Sequence, residues 1–178
     1  MVKGRHGSSS RQGVTYGSGG FTLVELIVAV AVLAILVALA VPNFNDASLS
    51  ARLNGFANSL VASAQIARSE AIKRNETIRL CASADGATCA ASGGWEQGWV
   101  VLTDDDDVLQ VQQPLPSEFN VTQAGGTADL NFLGTVVGTT TATLTVCRSS
   151  PVGNEERVVT ISGTGAAYVT ITTAGSCS

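Results

Sequence analysis

The chain has 178 residues, 45% of them hydrophobic, which is enough for a real core and argues against general disorder. Only 13% are charged and 5% aromatic, while 19 are glycine; this suits strands, turns and closely packed helices better than an all-helical soluble enzyme. Of the ten Lys/Arg, Lys3, Arg5 and Arg11 precede Gly20, so removing that segment leaves seven against all 14 Asp/Glu, a balance near −7 that repels phosphates unless the few cations cluster.

Residues 1–20 are basic, rich in Gly and Ser and free of any apolar run, and read as a cytoplasmic leader. From Phe21 to Val41 the residues are nearly all apolar, and about 21 residues at about 1.5 Å rise each match a hydrocarbon core of roughly 30 Å. The sequence thus predicts a membrane helix over 21–42. Positive charge before it and none directly after places the N-terminus in the cytoplasm and the remainder outside. A secretory signal peptide would carry its small-residue cleavage site after the apolar run, whereas here Gly19-Gly20 comes before it, so the anchor should survive processing. Pro42 lacks an N–H and clashes with the preceding turn, which predicts a kink or local loosening.

Beyond Pro42 the pattern becomes amphipathic over 43–75. Leu53, Phe56, Leu60, Ala64, Ala67 and Ala71 recur at helical spacing, with Arg52, Asn58, Ser59, Arg68, Glu70 and Lys73 on other faces. One long helix reaching Arg74 or Asn75 is expected. After it the period shortens, and β-rich runs separated by Gly, Asp, Asn and Pro predict eight strands: 77–82, 98–103, 108–112, 119–122, 129–132, 142–147, 157–162 and 167–172. The expected fold class is therefore α+β, with a long N-terminal helix packed on a C-terminal antiparallel β domain spanning 76–178.

The four cysteines, Cys81, Cys89, Cys147 and Cys177, all lie in this domain and lack metal-type CxxC spacing, and the only histidine, His6, is in the leader. Two disulfides in an oxidising compartment follow, with Cys81–Cys89 closing a short loop and Cys147–Cys177 stapling the C-terminus. Asp104–Asp107 invites a calcium reading, but four adjacent carboxylates need a shaped loop to face one ion, and a solvated turn that blunts a sheet edge is the better reading. Beyond the leader there is no histidine, nucleophile elbow or phosphate-cradling glycine loop. No catalytic residue, cofactor or metal site is expected, and the chain reads as a structural subunit and not an enzyme.

Gly19-Gly20-Phe21-Thr22-Leu23-Val24-Glu25-Leu26, leading straight into the apolar run, resembles the class III prepilin signal. That resemblance implies a prepilin peptidase cutting between Gly20 and Phe21 and N-methylation of the new Phe21 amine. Glycine suits the cut because, without a Cβ, the extended backbone can enter a protease cleft closely. A carboxylate in an apolar span costs about 2.5–3.5 kcal/mol on insertion scales, so Glu25 needs a compensating partner. The resemblance supplies one, the Phe21 amine of a neighbouring subunit; the structural alternative is a pair with the amine of the same chain. Ala29, Ala31, Ala34, Ala38 and Ala40 would let such helices approach closely.

Trp95-Glu96-Gln97-Gly98-Trp99-Val100-Val101, the acidic turn, the final β segment and the cysteines resemble the ectodomain of the GspH/FimT (FimU-like) family of minor pilins and pseudopilins. The tryptophans read first as core residues and second as partner contacts. The resemblance implies a pilin-like fold, incorporation at the initiating tip of a type IV pilus with other minor and major pilins, and residence in inner-membrane lipid before assembly, with the C-terminal domain periplasmic. A type II secretion pseudopilin is the alternative; the Cys81/Cys89 loop and the WEQGW segment look more like FimT/FimU-type pilins. Some FimT-type proteins bind DNA through a Gly-Arg-x-Arg motif, but Gly163–Tyr168 at the corresponding place lacks the arginines. With an acidic ectodomain and only Lys73, Arg74, Arg79, Arg148 and Arg157 as phosphate ligands, the sequence argues against direct DNA binding.

Overall fold

The computed structural model describes residues 20–126, 129–135, 138–149 and 155–173, with the side chains of residues 40–44 excepted. The chain divides into two compact units between Asn43 and Phe44. One helix, α1 (Leu23–Arg74), contributes to both. It starts two residues after the expected Phe21, because Thr22 caps it, and it ends where predicted, at Asn75, whose φ of 55° is the left-handed conformation that terminates helices.

In the first unit the described apolar side chains of α1 are largely exposed: Leu23, Leu26, Ile27, Val28, Leu33, Ile35 and Leu36 are each more than half exposed. Among the described residues, no helix is long and apolar enough to cross a membrane. The expected span over 21–42 ends in residues 40–42, whose side chains lie outside the described ones.

Among the described residues the second unit holds eight strands, all within two residues of the predicted bounds at either end: β1 (Ile78–Ala82), β2 (Trp99–Leu102), β3 (Val108–Gln112), β4 (Phe119–Gln123), β5 (Asp129–Phe132), β6 (Ala142–Arg148), β7 (Glu156–Ile161) and β8 (Ala167–Thr172). They form two four-stranded sheets, ordered β3-β2-β1-β5 and β4-β6-β7-β8, with antiparallel pairing throughout. A short 3-10 helix (Trp95–Gln97) lies on the long β1–β2 connection.

Strand alternation explains the core. Ile78, Leu80 and Ala82 of β1, Trp99 and Val101 of β2, and Leu130 and Phe132 of β5 share one hydrophobic cluster with Phe119, Val121, Leu144, Val146, Val159 and Ile161 of the other sheet. Both sheets meet α1 through Leu53, Ala57, Leu60, Ala64, Ala67 and Ala71, all fully buried and spaced alternately four and three residues apart. Phe56, expected on that seam, is only partly buried and packs edge-on against Phe119 with ring centroids 5.0 Å apart; Ala57 takes the seam position instead. Ala57 completes the four-three spacing from Leu53 to Leu60, which turns Phe56 to the margin of the buried stripe.

Both tryptophans are core residues. The Trp99 indole N–H donates to Ser63 Oγ at 2.9 Å, and Ser63 donates in turn to the Ser59 carbonyl at 2.9 Å. The Trp95 indole donates to Gln123 Oε1 at 2.8 Å. Gly98 between them has φ 106°, and a Cβ there would fall 2.6 Å from the Gln112 carbonyl, so only glycine allows β2 to meet β3 here. In urea unfolding of the full chain in detergent, Leu60→Ala should cost about 2–5 kcal/mol through the cavity it leaves. Ser63→Ala should cost about 1–3 kcal/mol by stranding the buried Trp99 N–H.

Candidate functional site

The first turn of α1 contains a reciprocal cap. The Glu25 amide donates to Thr22 Oγ1 at 3.2 Å, while Glu25 Oε2 accepts from the Thr22 amide at 3.0 Å and from its hydroxyl at 2.9 Å. This is a Thr-x-x-Glu capping box, and it sets a carboxylate where unpaired amides and the helix dipole favour negative charge. Its spacing was readable in the sequence as Thr22-Leu23-Val24-Glu25. Within this single chain the Glu25 carboxylate is held by Thr22. Gly20 and Phe21 immediately before the helix are exposed and non-helical, Phe21 to 90%. The helix runs unbroken through Pro42.

Cys81 and Cys89 are disulfide-bonded, with an S–S distance of 2.00 Å and Cα atoms 5.5 Å apart. The bridge packs on the outer face of its sheet against Val100 and Leu102, which explains why every residue of β2 is buried. Inside the loop, Asp85 Oδ1 accepts from the amides of Ala87 at 2.8 Å and Thr88 at 2.9 Å, and Gly86 turns at φ 71°. Those backbone N–H bonds, with the Thr88 and Ser83 hydroxyls, hold the Asp85 carboxyl far below its ordinary range. Cys147 on β6 is also disulfide-bonded, and the expected partner Cys177 lies outside the described residues.

Asp104–Asp107 forms the β2–β3 turn. The Thr103 amide donates to the Asp107 carbonyl at 3.0 Å, the Asp106 amide to the Thr103 carbonyl at 3.2 Å, and Asp106 has φ 66°. The Asp106 side chain pairs with Arg79. The close trio of potential metal ligands among the described residues is Cys81, Cys89 and Asp129, and the disulfide leaves only one carboxylate of it able to ligate.

The cations considered for phosphate binding are each engaged with carboxylates. Lys73 and Arg74 bind Glu70 at 3.2 and 2.8 Å, Arg148 binds Asp46 at 3.2 Å, and Arg157 binds Glu155 at 3.0 Å. Arg157 is 2% exposed and also donates to Asn54 Oδ1 at 2.5 Å and Ser50 Oγ at 2.9 Å, fastening β7 to α1. Gly163–Tyr168 includes the β7–β8 turn, where the Gly165 amide donates to the Ser162 carbonyl at 2.8 Å.

Known proteins give this geometry a context. Residues 57–165 match the family described as Type II transport protein GspH, and residues 17–41 match the prokaryotic N-terminal methylation motif. No curated protein matches the sequence. Two crystal structures of the type IV minor pilin FimU from Pseudomonas aeruginosa strain PAO1 resemble the fold. One has a TM-score of 0.52 at 21% identity, covering 66% of this chain and 91% of that one. The other has 0.55 at 20% identity, covering 69% and 91%. The minor pseudopilin EpsH of the Vibrio cholerae Type 2 Secretion System aligns with a TM-score of 0.49 at 16% identity, over 66% and 94%.

A long helix carrying a methylation motif at its head and a β domain along its second half defines a pilin-class structural subunit, one that is processed by prepilin peptidase and assembles with other pilins. More particularly, the chain belongs to the GspH family of minor pilins and pseudopilins.

Replacing Cys81 and Cys89 together by serine should lower unfolding stability by about 2–4 kcal/mol, read by urea titration of the full chain in detergent. A pH series gives a second check. Hydrogen bonds from Arg157 and then Ser50 lower the Glu155 carboxyl below its ordinary 4.5, and those from Arg74 and then Lys73 do the same for Glu70. Stabilisation from a lowered carboxyl is present above its unfolded value and is lost as pH falls through the folded one. The melting temperature should therefore hold down to about pH 5 and decline in stronger acid. Glu155→Gln should melt lower at neutral pH and decline less steeply in acid.

Proposed function

We propose that this chain is a minor pilin of a type IV pilus, cut between Gly20 and Phe21, methylated on Phe21 and inserted at the initiating tip. One observation carries the reading: a helix that leaves its apolar side chains from Leu23 to Leu39 uncovered begins directly at a methylation motif. So large an unburied apolar surface needs lipid before assembly and neighbouring helices after it. In this reading the run Phe21–Val41 is held single-pass in the inner membrane, N-terminus inside and β domain in the periplasm, and Pro42 loosens the helix as it leaves the span.

Glu25 links processing to assembly. While the chain is unassembled, Thr22 satisfies its carboxylate within the chain. Cleavage then creates an ammonium on Phe21, and the Phe21 amine of a neighbour replaces Thr22 as the partner. The Thr22 bonds bring only neutral donors to the carboxylate, whereas the ammonium brings a full opposite charge, whose attraction is strong where water is excluded, and this favours the exchange. The pairing of Cys147 with Cys177 completes the stapled domain in this picture.

A second reading, a secretion pseudopilin, is favoured by the description of the matched family as a type II transport protein. The Cys81–Cys89 loop and the WEQGW segment support the pilus. DNA reception has less support, because Lys73, Arg74, Arg79, Arg148 and Arg157 are already bound to carboxylates.

Glu25→Ala should be processed at the normal rate yet recovered in sheared pili at a level reduced roughly tenfold, as immunoblots of membrane and filament fractions would show. Undiminished recovery in pili would remove the assembly role of Glu25. Recovery of the unaltered chain only with a secretion complex, and never with pili, would favour the second reading.

A further inference from the structure

We infer that the free edge of β8 is a docking site for an extended strand of another pilin-class subunit, which joins the β4-β6-β7-β8 sheet as a fifth strand and offers a carboxylate to Arg68. The inference rests on the subunit reading above and names the surface through which the β domain would meet its neighbour.

Sheet edges carry unpaired backbone donors and acceptors, and proteins that do not use them usually blunt them. Three of the four edges here are blunted. β3 has a register irregularity opposite Val101/Leu102 and lies between the Asp104–Asp107 turn and Pro114. β5 has only four residues and opens on Asp129. β4 lies beside the Trp95–Gln97 helix, with Trp95 bonded to Gln123 and the Val121 amide taken by the Asn120 side chain. Among the described residues β8 has none of these devices: it runs six residues in regular register with β7 and contains no charge, proline or bulge.

Its side chains are also incompletely covered. Ala167, Val169 and Ile171 pair with Ile161, Val159 and Arg157 and so share the face that looks toward the core. Ala167 and Val169 are partly buried, but Ile171 is 64% exposed. A strand added beside β8 would cover Ile171 and extend the apolar face outward.

Arg68 makes the site selective. It is half-buried and, among the described cations, has no carboxylate partner. It lines an open cleft of about 400 Å³ with Gln65, Ser69 and Ile72 of α1 and the Gly165–Ala167 turn that leads into β8. A Cβ at Gly165 would lie 3.1 Å from Arg68 Cδ, so the glycine lets the arginine stem rest against the turn. In a chain whose net charge is −4, an uncommitted guanidinium beside an open strand edge selects an acidic residue on the incoming strand.

The test uses the full chain, in its own cell, with a photocrosslinking phenylalanine analogue at position 171 and, as control, at position 108 on the edge of the other sheet. The expected result is an adduct from position 171 to another pilin-class subunit, several-fold above position 108. Its yield should fall roughly tenfold with Arg68→Glu and be retained with Arg68→Lys. Four results would overturn the proposal while leaving the subunit reading intact: a chain in the filament fraction that gives no adduct from 171, equal yields at 171 and 108, an adduct to a second copy of this chain, or one to DNA. Absence of the unaltered chain from both filament and secretion-complex fractions would instead defeat the subunit reading, and the docking site with it.

Discussion

A seam of small side chains on α1 is the constraint on which the β domain depends. Ala57, Ala64, Ala67 and Ala71 are fully buried, and with so little side chain they let the sheets come close to the helix backbone, while Leu53 and Leu60 fill the remaining volume. Ser63 belongs to the same design. A polar residue so placed would be costly unsatisfied, but it receives the Trp99 indole N–H and so fixes β2 in register on the helix. Arg157 plays the matching part further toward the N-terminal end, binding Ser50 and Asn54 from β7.

The same helix therefore faces two environments along its length. Its second half buries one seam of side chains against the chain's own strands, whereas the described apolar side chains of its first half are mostly exposed. This division gives a subunit built to join others its physical logic. The core of the β domain closes on the second half of the helix, and the first half leaves its small and apolar side chains available for close packing with other helices. Glu25 sits at the head of that half in a capping box, so its carboxylate is satisfied before any neighbour arrives.

Much of this was legible in the sequence because the signals were periodic. The eight strands were marked by β-rich runs between turn residues, and the helix end by the loss of three-four spacing after Ala71. The short Cys81–Cys89 spacing announced its bridge. Other features depend on contacts between distant residues. The choice of Ala57 over Phe56 reflects sheet proximity, which periodicity does not encode, and the ties of Arg157 to Ser50 and Asn54 cross more than a hundred residues. Arg68 stood out only in space, once every other described cation was seen to be paired. The Thr22–Glu25 box is different, being a local signal carried by the Thr-x-x-Glu spacing itself.

In the proposed account the assembly chemistry follows from processing, and one mass measurement reaches that step directly. Intact mass spectrometry of the chain recovered from the filament fraction should give a polypeptide that begins at Phe21 and carries one N-terminal methyl group. A mass that retains residues 1–20, in a chain nevertheless built into filaments, would contradict the proposed link between cleavage, the new amine and Glu25.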